Sequence, residues 1–140
     1  MEALIVDAGV LYGAADAADP EHSAVLPLLE GWAGELVVSA FTAAEADHLI
    51  LSRLGVDAEL ALLDDLALTY IVQALDAREL KTAREICARY RDLELGLADA
   101  SMVVLAERWA TDAIATFDQR HFRTVTSQAG VPFRLLPADA

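Results

Sequence analysis

Apolar residues along the chain fall into two patterns: short continuous runs, and longer stretches in which they recur every three or four positions. A short continuous run closed by a polar residue is typical of a buried strand in a parallel sheet. The first run, Leu4–Val6, ends at Asp7 in this way. By the same criterion the sequence predicts five strands: Leu4–Val6, Leu36–Ser39, Thr69–Val72, Ala113–Thr116 and Phe133–Leu136.

Helical spacing of apolar residues dominates the segments between these runs. The predicted helices are Val10–Ala18, His22–Trp32, Thr42–Arg53, Asp57–Ala67, Asp76–Tyr90 and Ala98–Trp109. For the helix that begins at Thr42, the residues Thr42 and Glu45 predict a capping box. Strands that alternate with helices indicate an α/β fold, here a three-layer α/β/α sandwich with a mostly parallel sheet of about five strands.

The length and composition place this fold in one domain. The 140 residues suit a single core, so we predict one domain over residues 1–140. Hydrophobic residues make up 56% of the chain, an excess that indicates apolar surface left over for a partner or a second copy. The first residues carry no basic segment and no apolar run is long enough to span a membrane, so we expect a cytoplasmic protein.

The charge balance and the cysteine content exclude several function classes. Ten basic against twenty-three acidic residues give a net charge of −13, which argues against phosphate binding by a generally basic surface. The single cysteine, Cys87, excludes an intramolecular disulfide and a Cys-rich zinc site. Carboxylates that hold metal ions, which in turn meet a phosphate, remain compatible with this composition.

Four carboxylates stand at predicted element boundaries: Asp7, Glu45, Asp99 and Asp118. Taken singly, each has a structural explanation, because Asp and Glu commonly cap helix N-termini and close turns. Taken together they indicate a site, since Asp7 and Asp118 both follow strands and Glu45 comes soon after a third. The carboxyl ends of parallel strands lie at one edge of the sheet, where ligands collect.

Bringing such groups together costs free energy. Two unit charges about 4 Å apart repel by about 4 kcal/mol at an effective dielectric constant of 20, so protons or cations must relieve the repulsion. Carboxylate oxygens are ligands that suit hard divalent cations such as Mg²⁺ or Mn²⁺, and no nearby set of His and Cys residues favours zinc.

Four segments of the sequence carry a resemblance to a known family. They are Ile5–Asp7, Val38–Glu45, Gly96–Ala100 and Ala115–Phe122, in order over nearly the whole chain. The chain resembles a PIN domain and, within that family, the VapC toxins of bacterial toxin–antitoxin pairs. The resemblance implies metal-dependent cleavage of RNA that leaves a 5′-phosphate and a 3′-hydroxyl. The family's acidic positions match Asp7, Glu45, Asp99 and Asp118, with Mg²⁺ or Mn²⁺ as cofactor, and Thr116 matches a hydroxyl that supports the site.

The same resemblance implies partners. It implies a homodimer and a small VapB-like antitoxin, the two forming a heterotetramer or a larger assembly. The C-terminal segment of such an antitoxin lies in a hydrophobic groove and directs an Arg to the acidic site. The Leu- and Ala-rich helices Thr42–Arg53 and Asp57–Ala67 are our candidates for one wall of that groove.

RNA binding by so acidic a chain requires local positive charge. The candidates beside the predicted site are Arg53, Arg120, His121 and Arg123. A second basic cluster occupies the helix Asp76–Tyr90 and the loop after it, and comprises Lys81, Arg84, Arg89 and Arg91. The alternative for this cluster is a solvated face paired with Asp76, Glu79 and Glu85.

Two other functions remain as alternatives. Ala8 and Gly9 stand where many PIN domains have a hydroxyl and a small polar residue, which gives some weight to a catalytically silent PIN-like binding module. A receiver-type or phosphoryl-transfer domain would need a second acid beside Asp7 or a Lys after a late strand. The only Lys is Lys81, on a predicted mid-chain helix, so this reading ranks last.

Overall fold

The computed structural model describes residues 1–140 and contains five strands and seven helices. The strands are Leu4–Val6 (β1), Leu36–Ser39 (β2), Ile71–Gln73 (β3), Ala113–Ala115 (β4) and Arg134–Leu136 (β5). The helices are Ala8–Ala15 (α1), His22–Gly31 (α2), Ala40–Leu54 (α3), Val56–Leu68 (α4), Ala77–Arg89 (α5), Gly96–Arg108 (α6) and Gln119–Phe122 (α7). A 3₁₀ turn at Arg91–Leu93 connects α5 to α6.

All five strands pair in parallel, in the order β3-β2-β1-β4-β5. The central strand β1 therefore lies between β2 on one side and β4 on the other, with Val6 in register with Ala115. This is the point at which the strand order changes direction. In open parallel sheets the crevice beyond the carboxyl ends of the strands at such a point is where ligands bind.

The core is divided by the sheet into two apolar clusters. Successive strand residues point to opposite faces. Ile5 and Ile114 accordingly pack with α5 and α6 in one cluster, and Leu4 and Val6 pack with α1 to α4 in the other. The helix α6 is buried over the continuous stretch Ala100–Ala106. The architecture is therefore a three-layer α/β/α sandwich, and the predicted fold class is confirmed.

The predicted capping box at Thr42 and Glu45 is wrong. Helix α3 begins two residues earlier, at Ala40, because the Ser39 side chain accepts a 3.2 Å hydrogen bond from the backbone N–H of Phe41 and acts as the N-cap. Thr42 is then inside the helix, fully buried, and its hydroxyl has no hydrogen-bond partner. A capping box is present on α5 instead, between Asp76 and Glu79.

Smaller differences affect the ends of other elements. Helix α1 begins at Ala8, directly after Asp7, and ends at Ala15, so the predicted segment Val10–Ala18 was displaced toward the C-terminus. Strand β3 covers Ile71–Gln73, later than predicted. The helix α7 and the 3₁₀ turn were not predicted from the sequence. None of the helices has the length and apolar character that crossing a bilayer would require.

Candidate active site

The adjacent strands β1 and β4 position the first part of the site. Asp7 follows β1, and its backbone N–H donates to the carbonyl of Ala115 at 2.9 Å, which continues the ladder beyond the strand. The hydroxyl of Thr116, buried just after β4, donates to Asp7 Oδ2 at 2.6 Å and accepts from the backbone N–H of Asp118 at 3.0 Å. One hydroxyl therefore ties both acidic positions together.

Asp7 and Asp118 also cap helices, as the structural explanation of Asp7 predicted; for Asp118 the expected role was to close a turn. Asp7 Oδ1 accepts from the N–H of Ala8 at 2.7 Å, and Asp118 Oδ1 accepts from the N–H of His121 at 3.1 Å. In each carboxylate the capping oxygen is Oδ1. The Oδ2 atoms contact other side chains of the site, so capping and site formation coexist in the same residue.

His121 contacts both Asp99 and Asp118. Its Nδ1 lies 2.9 Å from Asp99 Oδ2, on the first turn of α6, and 2.9 Å from Asp118 Oδ2. Because ionised carboxylates only accept hydrogen bonds, the Nδ1 atom between them must carry a hydrogen. The side chains of His121 and Asp99 are only 15% and 17% exposed, so this contact is largely shielded from water.

A buried chain of hydrogen bonds holds α6 against α3. Ser39 Oγ, at the N-cap of α3, lies 2.6 Å from Ser101 Oγ on α6, and Ser101 Oγ donates to the carbonyl of Ala98 at 2.6 Å. These groups stand between the helix that carries Glu45 and the one that carries Asp99. These hydrogen bonds therefore fix the relative position of Glu45 and Asp99, two of the four predicted acids.

The pKa values of the acids show that their charges repel one another. The pKa of Asp99 is raised to about 6, mainly by burial and then by the charge of Asp7, while His121 lowers it. Burial also raises the pKa of Asp7, against the lowering effect of the hydrogen bond from Thr116. The pKa of Glu45 is raised by burial and by the charge of Asp7. All four predicted acids therefore lie within one electrostatic neighbourhood, with Glu45 the most exposed.

The donor atoms fit a hard divalent cation. One atom each from Asp99, Asp118 and His121 lies within 4.8 Å of the other two, and Asp7 is close enough to influence the pKa of Asp99. Carboxylate oxygens predominate in this set, and the repulsion among them is of the kind that a bound cation relieves. The residues present are therefore compatible with Mg²⁺ or Mn²⁺.

The basic residues predicted beside the site differ in how free they are. The guanidinium of Arg53 lies over the ring of Tyr12, 5.2 Å from its centre. Arg123 forms a bidentate salt bridge with Asp139 at 2.6 and 2.8 Å. Arg120 is exposed and forms no salt bridge. The contact of His121 with the acids was missed, although its spacing from Asp118 places both on one face of a helical turn.

A separate apolar cleft of about 450 Å³ opens between α1, α2, α4 and β2. Its apolar lining includes Leu11, Leu26, Leu29, Leu36, Leu62 and Tyr70. Two carboxylates, Glu30 and Asp65, also line the cleft. Of the two helices predicted to form a groove wall, α4 contributes to this cleft and α3 does not.

The comparisons with known proteins agree with this fold. A family model described as the PIN domain matches residues 4–127. The chain therefore belongs to the PIN-domain family, and the resemblance recognised in the sequence is confirmed. Ribonuclease VapC26 of Mycobacterium tuberculosis (strain ATCC 25618 / H37Rv) is 41% identical over 135 residues, which cover 96% of this chain and 100% of that relative. The chain is thus a homologue of a VapC ribonuclease.

Solved structures share the same architecture. Mycobacterium tuberculosis VapC20, a Sarcin-Ricin loop cleaving toxin, matches with a TM-score of 0.76 at 20% identity, over 83% of this chain and 90% of that one. VapBC2 from Rickettsia felis, bound to a DNA fragment from their promoter, matches with a TM-score of 0.64 at 12% identity, over 95% and 98%. FitAcB from Neisseria gonorrhoeae matches with a TM-score of 0.62 at 18% identity, over 83% and 88%.

Proposed function

We propose that the chain is a metal-dependent endoribonuclease and the toxin of a type II toxin–antitoxin pair, acting on tRNA or rRNA in the cytoplasm. The homology to ribonuclease VapC26 supports the ribonuclease class. The observation that carries the proposal is the convergence of Asp7, Asp99 and Asp118 beyond the carboxyl ends of β1 and β4. A divalent cation would relieve the repulsion among three acids in this arrangement, and RNA supplies the phosphate that such a cation would meet.

In this proposal Asp7, Asp99, Glu45 and Asp118 hold Mg²⁺ or Mn²⁺. When bound, such an ion supplies a water of lowered pKa and neutralises charge on the phosphate. The protein's own groups fix the ligands: Thr116 orients Asp7, and His121 contacts both Asp99 and Asp118. No protein side chain has to serve as a separate general base. Arg53, Arg120, His121 and Arg123 remain the proposed RNA contacts. Of these, Arg120 is exposed and forms no salt bridge, whereas Arg53 contacts Tyr12 and Arg123 is paired with Asp139.

Cleavage of total RNA by the purified protein tests this function. We expect cleavage with Mg²⁺ or Mn²⁺, none in excess chelator, and none by Asp7→Asn or Asp99→Asn. Asp64→Asn, at an exposed position of α4, is the matched control and should cleave like the unaltered protein. Cleavage that persists in chelator or in both site variants would refute the metal mechanism. A protein that binds RNA but never cleaves it would instead be the silent PIN-like module.

The apolar cleft between α2 and α4 is the proposed binding site of an antitoxin segment. Its leucines suit an apolar segment, and Glu30 and Asp65 suit basic residues on it. Ala61→Arg, on the cleft, should abolish co-purification with the product of a short neighbouring reading frame. Ala67→Arg, exposed on the same helix but outside the cleft, should not. Equal co-purification of both variants would mean that the antitoxin binds outside this cleft.

We also propose that the chain forms homodimers. Several large apolar side chains on α3 and α4 remain exposed, among them Leu51, Val56, Leu60 and Leu63. Exposed apolar side chains concentrated on two neighbouring helices favour an interaction site. Light scattering of the purified protein, alone and with its antitoxin, should report a dimer and a heterotetramer or larger assembly. A monomer at all concentrations would contradict this.

A further inference from the structure

Half of the positive charge of the chain lies on one short segment. Arg78, Lys81, Arg84, Arg89 and Arg91 are five of the ten basic residues, and all five side chains are exposed. They occupy α5 and the 3₁₀ turn that follows it. We call this set the basic face. In a chain whose net charge is −13, such a concentration needs an explanation.

The acidic residues that could neutralise the basic face are engaged elsewhere. Asp76 and Glu79 form the capping box of α5, and Glu79 also forms a salt bridge with Arg108. None of the five basic side chains forms a salt bridge. Within α5 and the 3₁₀ turn the acids are Glu79, Glu85 and Asp92, against five basic residues, so the segment keeps a positive excess; Asp76 and Glu94 flank it as cap residues. The alternative predicted a solvated face paired with Asp76, Glu79 and Glu85; the face is solvent-exposed, but the structure contains none of those ion pairs.

The basic face points away from the core. Ala83 and Ile86 are the buried positions of α5 and pack in the cluster that α6 shares. With 100° of rotation per residue, Arg78, Lys81 and Arg84 fall on the side of the helix opposite to these two. The packing of α5 on the body of the protein thus leaves its charged side open to a partner.

One end of the basic face lies at the same end of the protein as the candidate active site. Helix α5 runs antiparallel to α6, since Arg108 at the end of α6 reaches Glu79 at the start of α5. At the other end, Cys87 Sγ lies 3.7 Å from the carbonyl oxygen of Gly96, at the first residue of α6. The end of α5 that carries Arg89, and the turn that carries Arg91, therefore lie at the same end of this helix pair as the first turn of α6, which carries Asp99. From Arg78 to Arg89 the face spans about 16 Å of helix axis.

We propose that the basic face binds the phosphate backbone of the RNA that flanks the scissile bond. The inference rests on the proposed ribonuclease function and names how that site holds its substrate. RNA is the occupant that fits, because a row of unpaired cations matches a row of phosphates, and contacts to phosphate position a nucleic acid without reading its sequence. The substrate therefore extends several nucleotides from the acids along α5, and its affinity depends strongly on salt.

The test measures RNA binding without cleavage. A fluorescently labelled stem-loop RNA is titrated with protein in chelator, at several salt concentrations, and binding is followed by anisotropy. The triple variant Lys81→Gln, Arg84→Gln, Arg89→Gln should bind on the order of 100-fold more weakly and lower the salt slope by about 2. Glu85→Gln, which removes an acid from the same helix, should tighten binding. Circular dichroism melts should match the unaltered protein, because all four positions are exposed.

A control that matches charge for charge separates this surface from general electrostatics: Lys81→Gln alone is compared with Arg134→Gln. Arg134→Gln neutralises an exposed cation, salt-bridged to Glu2, at the opposite, amino-terminal edge of the sheet and should leave the affinity nearly unchanged. A loss in Arg134→Gln equal to that in Lys81→Gln, or no loss in the triple variant, would overturn the proposal. Because the assay contains no metal, it stands apart from catalysis. Failure of the unaltered protein to cleave any RNA would refute the nuclease and leave the binding result intact.

Discussion

Thr116 donates a 2.6 Å hydrogen bond to Asp7 across the junction of two neighbouring strands. The bond lowers the pKa of Asp7, which burial of the carboxylate raises. The same oxygen accepts from the backbone N–H of Asp118 at 3.0 Å, so both hydrogen-bonding capacities of the hydroxyl serve the acids. Ala8, the residue after Asp7, has no hydroxyl, and Thr116 supplies one from the next strand.

Replacing Thr116 by valine should damage the site while keeping the shape of the side chain. The change leaves the N–H of Asp118 without a partner and removes the donor to Asp7, at a cost of about 1–3 kcal/mol in the free energy of unfolding. We expect at least tenfold weaker metal binding, measured by calorimetry with Mn²⁺. Thr116→Ser keeps the hydroxyl and should retain most of the affinity. Equal losses in both variants would show that the methyl group matters instead.

Asp99→Asn should abolish cleavage and yet stabilise the metal-free protein. The folded-state pKa of Asp99, about 6, lies above its ordinary value of 3.8, so ionisation of this buried carboxyl opposes folding. The asparagine keeps an oxygen for His121 and carries no charge. A gain on the order of 2 kcal/mol at pH 8 corresponds to a rise of several degrees in Tm. Scanning fluorimetry in chelator measures it.

The raised pKa of Asp99 also makes the stability of the folded protein depend on pH. A group that binds its proton more tightly in the folded state stabilises the fold fully below its unfolded pKa, and that contribution is lost as the pH rises through the folded pKa. For Asp99 the loss should therefore occur between about pH 4 and pH 6. Asp99→Asn should flatten the Tm profile over this range. A profile as steep as that of the unaltered protein would assign the effect to Asp7 or Glu45.

His121→Ala should move the pH at which metal binds. The hydrogen bond and the charge of His121 lower the pKa of Asp99, so their removal raises that pKa further above its ordinary range. Metal binding, which requires the ionised carboxylate, should then weaken roughly tenfold at pH 6 and much less at pH 8. His48→Ala, at an exposed position of α3, is the control. A uniform loss at every pH would mean that His121 acts as a ligand alone.

The hydroxyl pair of Ser39 and Ser101 should behave as one unit. Their oxygens lie 2.6 Å apart in the interior, so removing either leaves the other without its partner. We expect Ser101→Ala to cost about 1–3 kcal/mol in the free energy of unfolding. The double variant should cost less than the sum of the single ones, with a coupling energy on the order of 1 kcal/mol. Urea denaturation of the unaltered protein, the two single variants and the double variant measures the coupling energy. Strictly additive losses of stability would contradict the coupling.

The sheet could be predicted from the sequence, and the four acids proposed, because both depend on local patterns. Runs such as Leu4–Val6 are apolar on both faces, as a covered parallel strand requires, and Asp7 marks where the run ends. The start of α3 was mistaken because two hydroxyl residues, Ser39 and Thr42, both suit an N-cap. The choice between them depends on where β2 ends, which tertiary pairing decides.

The contact of His121 with Asp99 could not be derived from the sequence. The two residues are 22 positions apart, and their approach depends on how α6 and α7 lie on the sheet. The engagement of Arg123 by Asp139 near the C-terminus is equally non-local. Whether the basic face is paired with acids could also not be predicted from the sequence. The spacing of Glu79 from its neighbours did not reveal its salt bridge with Arg108.

The position of β4 in the chain has a consequence for biosynthesis. Asp7 is made among the first residues, but Thr116 and Asp118, with which it forms the site, follow α6. A nascent polypeptide that has left the ribosome only as far as α6 lacks the strand against which β1 completes its central pairing. The acidic cluster accordingly cannot assemble until the final quarter of the polypeptide has been translated.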